Sequence, residues 1–358
     1  MGFIRRALAG VVVVASGTAI AAGPPASAGV PVLTDNAFII PGANTDSWAP
    51  AILEPLDPWA TDGPLVPKIN AHYYDCHGCT VTIVRYPRTA GPLFGPDAPF
   101  ADESIAIGAG KAVDDVRNAA GPSVISGLSL GAMTADAAQR TFDADPKRPP
   151  ASDLAFIVAG DPTRVTPLTT GIGSFLPVGF RIPVLGWTVV RPASESTYDT
   201  VVVVGEYEWA ADCPDRPWNL LADLNSLIGF NYNHSEASLT NPADVPPENI
   251  VTTTNSKGAT TTTYLVPSPE VPLLKPFDKI LAPPVISAAN KVLKPMVDRG
   301  YSRYDAVTGN HAPYLQPTDG LPKLVRPSAP AAASRGATVS SAASRTPSRT
   351  PHRTAAAQ

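Results

Sequence analysis

Val124-Ile125-Ser126-Gly127-Leu128-Ser129-Leu130-Gly131-Ala132 is the stretch that decides how this chain is read. The apolar run ending at Ser126 has the length of a buried strand, and the Ala-rich stretch beyond Gly131 opens a helix. A Gly-x-Ser-x-Gly pentapeptide thus falls on a strand-to-helix turn. That is the context of a nucleophile elbow: the serine sits on a sharp turn at the top of a sheet, and the glycines allow strand and helix to approach closely. Ser129 is the candidate nucleophile, and the following helix points its N-terminal dipole at the site. The plainer alternative is a tight turn without chemistry.

Working outward, short apolar runs alternate with helical periods. Strands are expected at 37–40, 81–86, 123–126, 154–159 and 200–204. Between Glu103 and Asn118, Ile105, Ala109, Ala112, Val113 and Val116 repeat at helical spacing, which predicts a crossover helix between two strands. A second helix follows Ser129. A third is expected to start near Pro217 and run through Leu220, Leu221, Leu224 and Leu227 to Gly229. The Thr-rich runs 250–254 and 259–266 flank Asn255-Ser256-Lys257-Gly258, which predicts a hairpin near the sheet edge. The Pro- and Gly-rich stretch 162–196 is expected to pass over the sheet and choose the acceptor. This alternation is that of an α/β fold, a mostly parallel sheet with helices on both faces.

The composition sets limits. With 44% hydrophobic and 16% charged residues, the 358-residue chain has enough apolar side chains for an ordinary core. The first 28 residues hold two arginines and residues 323–358 six basic side chains, with no acid in either. The body between them carries 19 basic against 31 acidic groups, a net charge of −12. Such a body repels polyanions, so no nucleic-acid partner is expected. Residues 1–28 have the layout of a signal peptide, Arg5-Arg6, an apolar run and Ala26-Ser27-Ala28, predicting cleavage near Ala28 and a secreted or envelope location. Residues 29–322 form the folded domain. Residues 323–358, rich in Ala, Ser, Pro and Arg, are expected to be a disordered tail able to associate peripherally with the envelope.

Three cysteines in an exported chain suggest one disulfide and one thiol. Cys76 and Cys79 allow a local disulfide, a redox pair or half a metal site; a zinc site would need a second ligand cluster that the sequence lacks. The structural disulfide is favoured, with Cys213 the thiol or an alternative partner, and no metal or cofactor is required.

A serine nucleophile needs a base, and the base an orienting carboxylate. Of five histidines, His352 lies in the tail, His72 and His77 precede the elbow, and His311 follows in a Pro-flanked segment. His234 follows the third helix, where the order Ser, acid, His places the base; its plainer reading is a surface loop histidine. Asp212 and Asp161 both stand at strand ends, and position favours Asp212. The oxyanion hole is expected from the Leu130 N–H and a second backbone N–H in the loop at Gly42 and Ala43.

The elbow, Ala159-Gly160-Asp161-Pro162, and above all the run from Glu206 to Asn225 ending near His234 resemble the PE-PPE domain of mycobacteria and related actinobacteria. The resemblance covers about residues 36–305. It implies a cutinase-like α/β-hydrolase with a triad of Ser129, Asp212 and His234, acting on acyl esters as a serine esterase or lipase. Some members of that family are acyltransferases that build trehalose glycolipids, so acyl transfer is the close alternative; a non-catalytic lipid-binding domain is the alternative of another class. Gly42-Ala43 stands where the family has Gly-Thr, and the leader replaces the usual preceding segment.

Overall fold

The computed structural model describes residues 32–44 and 63–327. The stretch expected to be a leader and the tail beyond residue 327 lie outside the described residues. Seven strands form the central sheet: β1 (Asn36–Ile40), β2 (Thr80–Ile83), β3 (Ser123–Leu128), β4 (Leu154–Ala159), β5 (Thr200–Gly205), β6 (Ile250–Thr254) and β7 (Thr260–Val266). Their order is β6-β7-β5-β4-β3-β1-β2. All pairs are parallel except β6 with β7, the hairpin edge, where Thr254 pairs with Thr260.

β3 and β4 are buried at every position, as strands covered on both faces must be. On one face Phe38, Ile125, Phe156 and Val202 pack against α1 (Ala101–Asn118) and α2 (Leu130–Ala144). On the other, Ile39, Val124, Ile157 and Val203 meet Ile69, Tyr73, Ala237 and Val245, carried by short 3₁₀ helices and their flanks. A smaller cluster around Tyr207, Leu274, Val297 and Tyr301 holds α3 (Leu220–Asn233) and α4 (Pro283–Asp298) together.

Two expectations are corrected. The third helix begins at Leu220, not near Pro217, because the Asn219 side chain caps it, accepting the Ala222 N–H at 3.2 Å. Its marker leucines Leu220, Leu224 and Leu227 face solvent. Residues Lys323–Val325, assigned to the tail, instead form a strand antiparallel to Tyr314–Gln316. Among the described residues, no helix is long and apolar enough to cross a membrane.

The sheet order reverses between β1 and β3. The chain goes outward from β1 to β2, then returns to β3 on the other side, so loops leaving the carboxyl ends of β1 and β3 diverge and leave a crevice.

Candidate active site

Ser129 stands at that crevice, between β3 and α2, with φ 55° and ψ −119°. A non-glycine residue at positive φ is strained, and the neighbouring packing holds it there. The Ser129 N–H donates to the Ala159 carbonyl at 2.8 Å, while the Ala132 and Met133 N–H groups donate to the Ser129 carbonyl. The pentapeptide glycines are required by contact. A Cβ on Gly131 would lie 2.0 Å from the Ile40 carbonyl oxygen, and one on Gly127 2.3 Å from the Gly131 carbonyl oxygen.

A cavity of about 250 Å³ brings Ser129 together with His234, Gly42, Ala43, Arg88 and Phe230. His234 caps the C-terminus of α3 and is buried. Its ring stacks on Phe230, with centroids 4.4 Å apart, and lies over Gly160, where an added Cβ would approach the ring to 2.6 Å. Nδ1 is 2.9 Å from Glu208 Oε2. Nε2 is buried and has no hydrogen-bond partner among the described residues.

Glu208 lies in the loop after β5 and is fully buried. Besides the imidazole it accepts the Ala210 N–H at Oε2 and the Ala211 N–H at Oε1, both at 2.8 Å. These charge-assisted bonds hold the carboxylate in one orientation. Tyr207, immediately before it, has φ 61°.

Asp212, assigned from the sequence as the orienting acid, is elsewhere. Arg303 grips it bidentately, Nη1 to Oδ1 at 2.5 Å and Nη2 to Oδ2 at 2.7 Å, and the Tyr207 N–H donates to Oδ2 at 2.7 Å. Burial pushes its carboxyl up to about 6 against the opposing pull of Arg303. Asp212 therefore braces the left-handed turn at Tyr207 that presents Glu208. Glu208 was within the sequence signature but carried no distinguishing signal, because a shift of four residues within one irregular loop has no periodic mark.

Asp161 also serves structure. It accepts the Thr163 N–H and hydroxyl, and Arg164 Nε at 3.2 Å; Arg164 also pairs with buried Asp136 in α2. Burial raises the Asp136 carboxyl well above its ordinary value; Arg164 and more weakly Arg140 oppose this, while Asp161 adds to it.

Beside Ser129, the loop after β1 is held by two side chains. Tyr86 Oη donates to the Pro41 carbonyl at 2.6 Å and Arg88 Nε to the Gly42 carbonyl at 2.7 Å. No cis peptide occurs among the described residues, so each N–H lies opposite its own carbonyl. The Gly42 and Ala43 N–H groups are thereby turned away from the clamp. Gly42 itself lies against Ser129, since a Cβ there would come within 3.3 Å of Ser129 Cβ.

Cys76 and Cys79 form a disulfide, and Cys213 is a buried thiol that burial pushes well above its ordinary value. Among the described residues, no group of His, Cys, Asp and Glu could hold a metal. The cavity walls come from the Val66–Ile69 region, Arg88 and residues 230–236. The 162–196 excursion, expected to shape the acceptor site, does not line this cavity.

A family model described as PE-PPE domain matches residues 77–302. SL1278 acyltransferase Chp1 of Mycobacterium tuberculosis (strain ATCC 25618 / H37Rv) is 36% identical over 294 residues, 81% of this chain and 70% of that protein. From the same organism, diacyltrehalose acyltransferase Chp2 is 36% identical over 224 residues, 62% of each chain. Esterase PE16, also of that organism, is 31% identical over 207 residues, 56% of this chain and 38% of that protein. The chain thus spans less than two thirds of the latter two relatives. No solved structure matches.

Proposed function

The chain belongs to the PE-PPE domain family, and from that premise we propose that it forms an acyl-enzyme on Ser129 and passes the acyl group to a hydroxyl of a glycolipid. The observation that carries this reading is one of geometry: a strained serine shares a cavity with a buried imidazole whose Nδ1 is held by Glu208 and whose Nε2 has no partner among the described residues. An imidazole held at Nδ1 by a carboxylate keeps Nε2 as the basic nitrogen.

His234 Nε2 takes the proton from Ser129 Oγ as Oγ attacks the acyl carbonyl carbon. The oxyanion that forms is met by the Leu130 N–H and by the Ala43 N–H, whose peptide unit is held at the Gly42 carbonyl by Arg88. Collapse breaks the ester bond, and the proton passes from His234 to the leaving oxygen. The acceptor hydroxyl then gives its proton to His234 and attacks the acyl-enzyme, and Ser129 recovers its proton as it leaves. Glu208 orients the imidazole and stabilises its cationic form; Asp212 braces the loop behind it.

The acyltransferase names of Chp1 and Chp2 favour a sugar hydroxyl as acceptor, with trehalose the first to try. Hydrolysis is the second reading, favoured by the name of esterase PE16, and differs only in water taking the acceptor's place. Export through the leader is part of the same proposal.

A fluorophosphonate probe should label the wild-type protein at Ser129 and leave Ser129→Ala unlabelled. Absence of labelling on folded wild type would replace this reading with a lipid-binding one. Long-chain p-nitrophenyl esters supplied with trehalose should then give acyl-trehalose; release of free fatty acid alone would select hydrolysis.

A further inference from the structure

Helix α3 is turned inside out. Leu220, Leu224 and Leu227 repeat at helical spacing, yet they are 76%, 50% and 49% exposed. The inward face instead carries Ala222, Asn225, Ser226 and Gly229. Asn225 Oδ1 accepts the Leu273 N–H, and the Ser226 carbonyl accepts the Trp209 N–H, so the polar inward positions tie the helix to its surroundings. An ordinary surface helix has the reverse arrangement. A contiguous apolar stripe left in water marks a surface with a partner.

The stripe continues onto α4. Asn219 Nδ2 donates to the Met296 carbonyl at 3.0 Å, joining the start of α3 to the end of α4. Met296, Val292 and Val285 are exposed on α4, while Ile286 and Val297 of the same helix are buried, so α4 is apolar on both sides. At its other end the α3 stripe reaches Phe230, which lines the cavity of Ser129.

Charge indicates what the surface meets. In a body of net charge −12, residues 275–299 carry five basic and two acidic side chains. Lys279, Lys291 and Arg299 are exposed and make no ion pair among the described residues. Apolar side chains bordered by cations on an acidic protein complement an anionic lipid layer.

We propose that the outer faces of α3 and α4 dock on an anionic lipid layer, with the leucines entering its acyl region and Lys279, Lys291 and Arg299 meeting its headgroups. Docking sets the cavity mouth beside Phe230 against the layer that holds acyl esters. In that respect the inference rests on the acyl-enzyme reading, but binding itself does not require catalysis.

The test is co-sedimentation of full-chain Ser129→Ala with phosphatidylglycerol/phosphatidylcholine vesicles. Replacing Leu220, Leu224 and Leu227 together by Ser in that background should lower the partition coefficient at least about tenfold. Replacing Lys279, Lys291 and Arg299 by Ser should weaken binding at low salt and flatten its salt dependence. Basic residues beyond 327 are present in every arm, so their attraction cancels in the comparison. The leucine variant with Ser129 intact should keep wild-type turnover of a dissolved short-chain ester, which verifies its fold. Equal binding by the leucine variant and its parent, or no binding by the parent, would overturn the proposal. So would a wild-type dimer in light scattering that the leucine substitutions dissolve. Docking without fluorophosphonate labelling would keep this inference and remove the acyl-enzyme reading.

Discussion

Glu208 Oε2 lies 2.9 Å from His234 Nδ1, while the Asp212 carboxylate, four residues on, is held by Arg303. The two acids share one loop and have separate tasks. Glu208→Gln should lower kcat by about 10³–10⁴-fold, and because its NH2 group would face a buried backbone N–H that the carboxylate accepts, it should also cost about 1–3 kcal/mol of stability. Asp212→Asn leaves the half-buried Arg303 without its carboxylate and should cost about 3 kcal/mol of stability, roughly 5–10 °C in Tm. Kinetics and thermal unfolding of both variants check this; an inactive, fully stable Asp212→Asn would return the orienting role to Asp212.

Gly160 has φ +61° and leaves room for the imidazole. In Gly160→Ala the new methyl group would enter the His234 ring, so the base must move. Turnover should fall at least about 100-fold, since small misplacements of reacting groups are that costly. The αL backbone adds a stability cost of about 1 kcal/mol. Retained activity in a crystal structure with an unmoved His234 would contradict this.

Tyr86→Phe removes one hydroxyl from the clamp on the β1 loop and keeps the ring in place. A loosened oxyanion loop should reduce kcat with KM nearly unchanged, by about 10-fold, less than the roughly 10²–10³-fold cost of losing an oxyanion donor outright. If KM rises and kcat holds, the clamp serves binding instead of the transition state.

Asp136 supplies a pH signature. Its folded value is raised by burial, so between the ordinary aspartate range and that raised value the folded state binds the extra proton. Stability contributed by this group therefore falls as pH rises through that window and stays low above it. Asp136→Asn keeps an acceptor for Arg164 but cannot ionise, so relative to wild type it should gain stability at pH 8 compared with pH 4. Parallel Tm curves over that range would refute the assignment.

Much of the fold was legible because its signals are local. Strand length and burial, the helical repeat of 103–118, the 255–258 turn and the glycine spacing of the elbow each follow from a few neighbouring residues. The bare order of Ser129, an acid after β5 and His234 was legible for the same reason: it depends on sequence order around a parallel sheet.

What only the tertiary structure decided depends on distant partners. Arg303, some ninety residues away, claims Asp212 and leaves Glu208 for His234. Leu220, Leu224 and Leu227 spell an amphipathic helix, but periodicity gives a face without a direction. Contacts from Trp209 and Leu273 turn the polar face inward and the leucines out. Local chemistry determined the elements and the strained turn at Ser129; long-range packing placed Glu208 rather than Asp212 beside His234 and turned the α3 leucines to solvent.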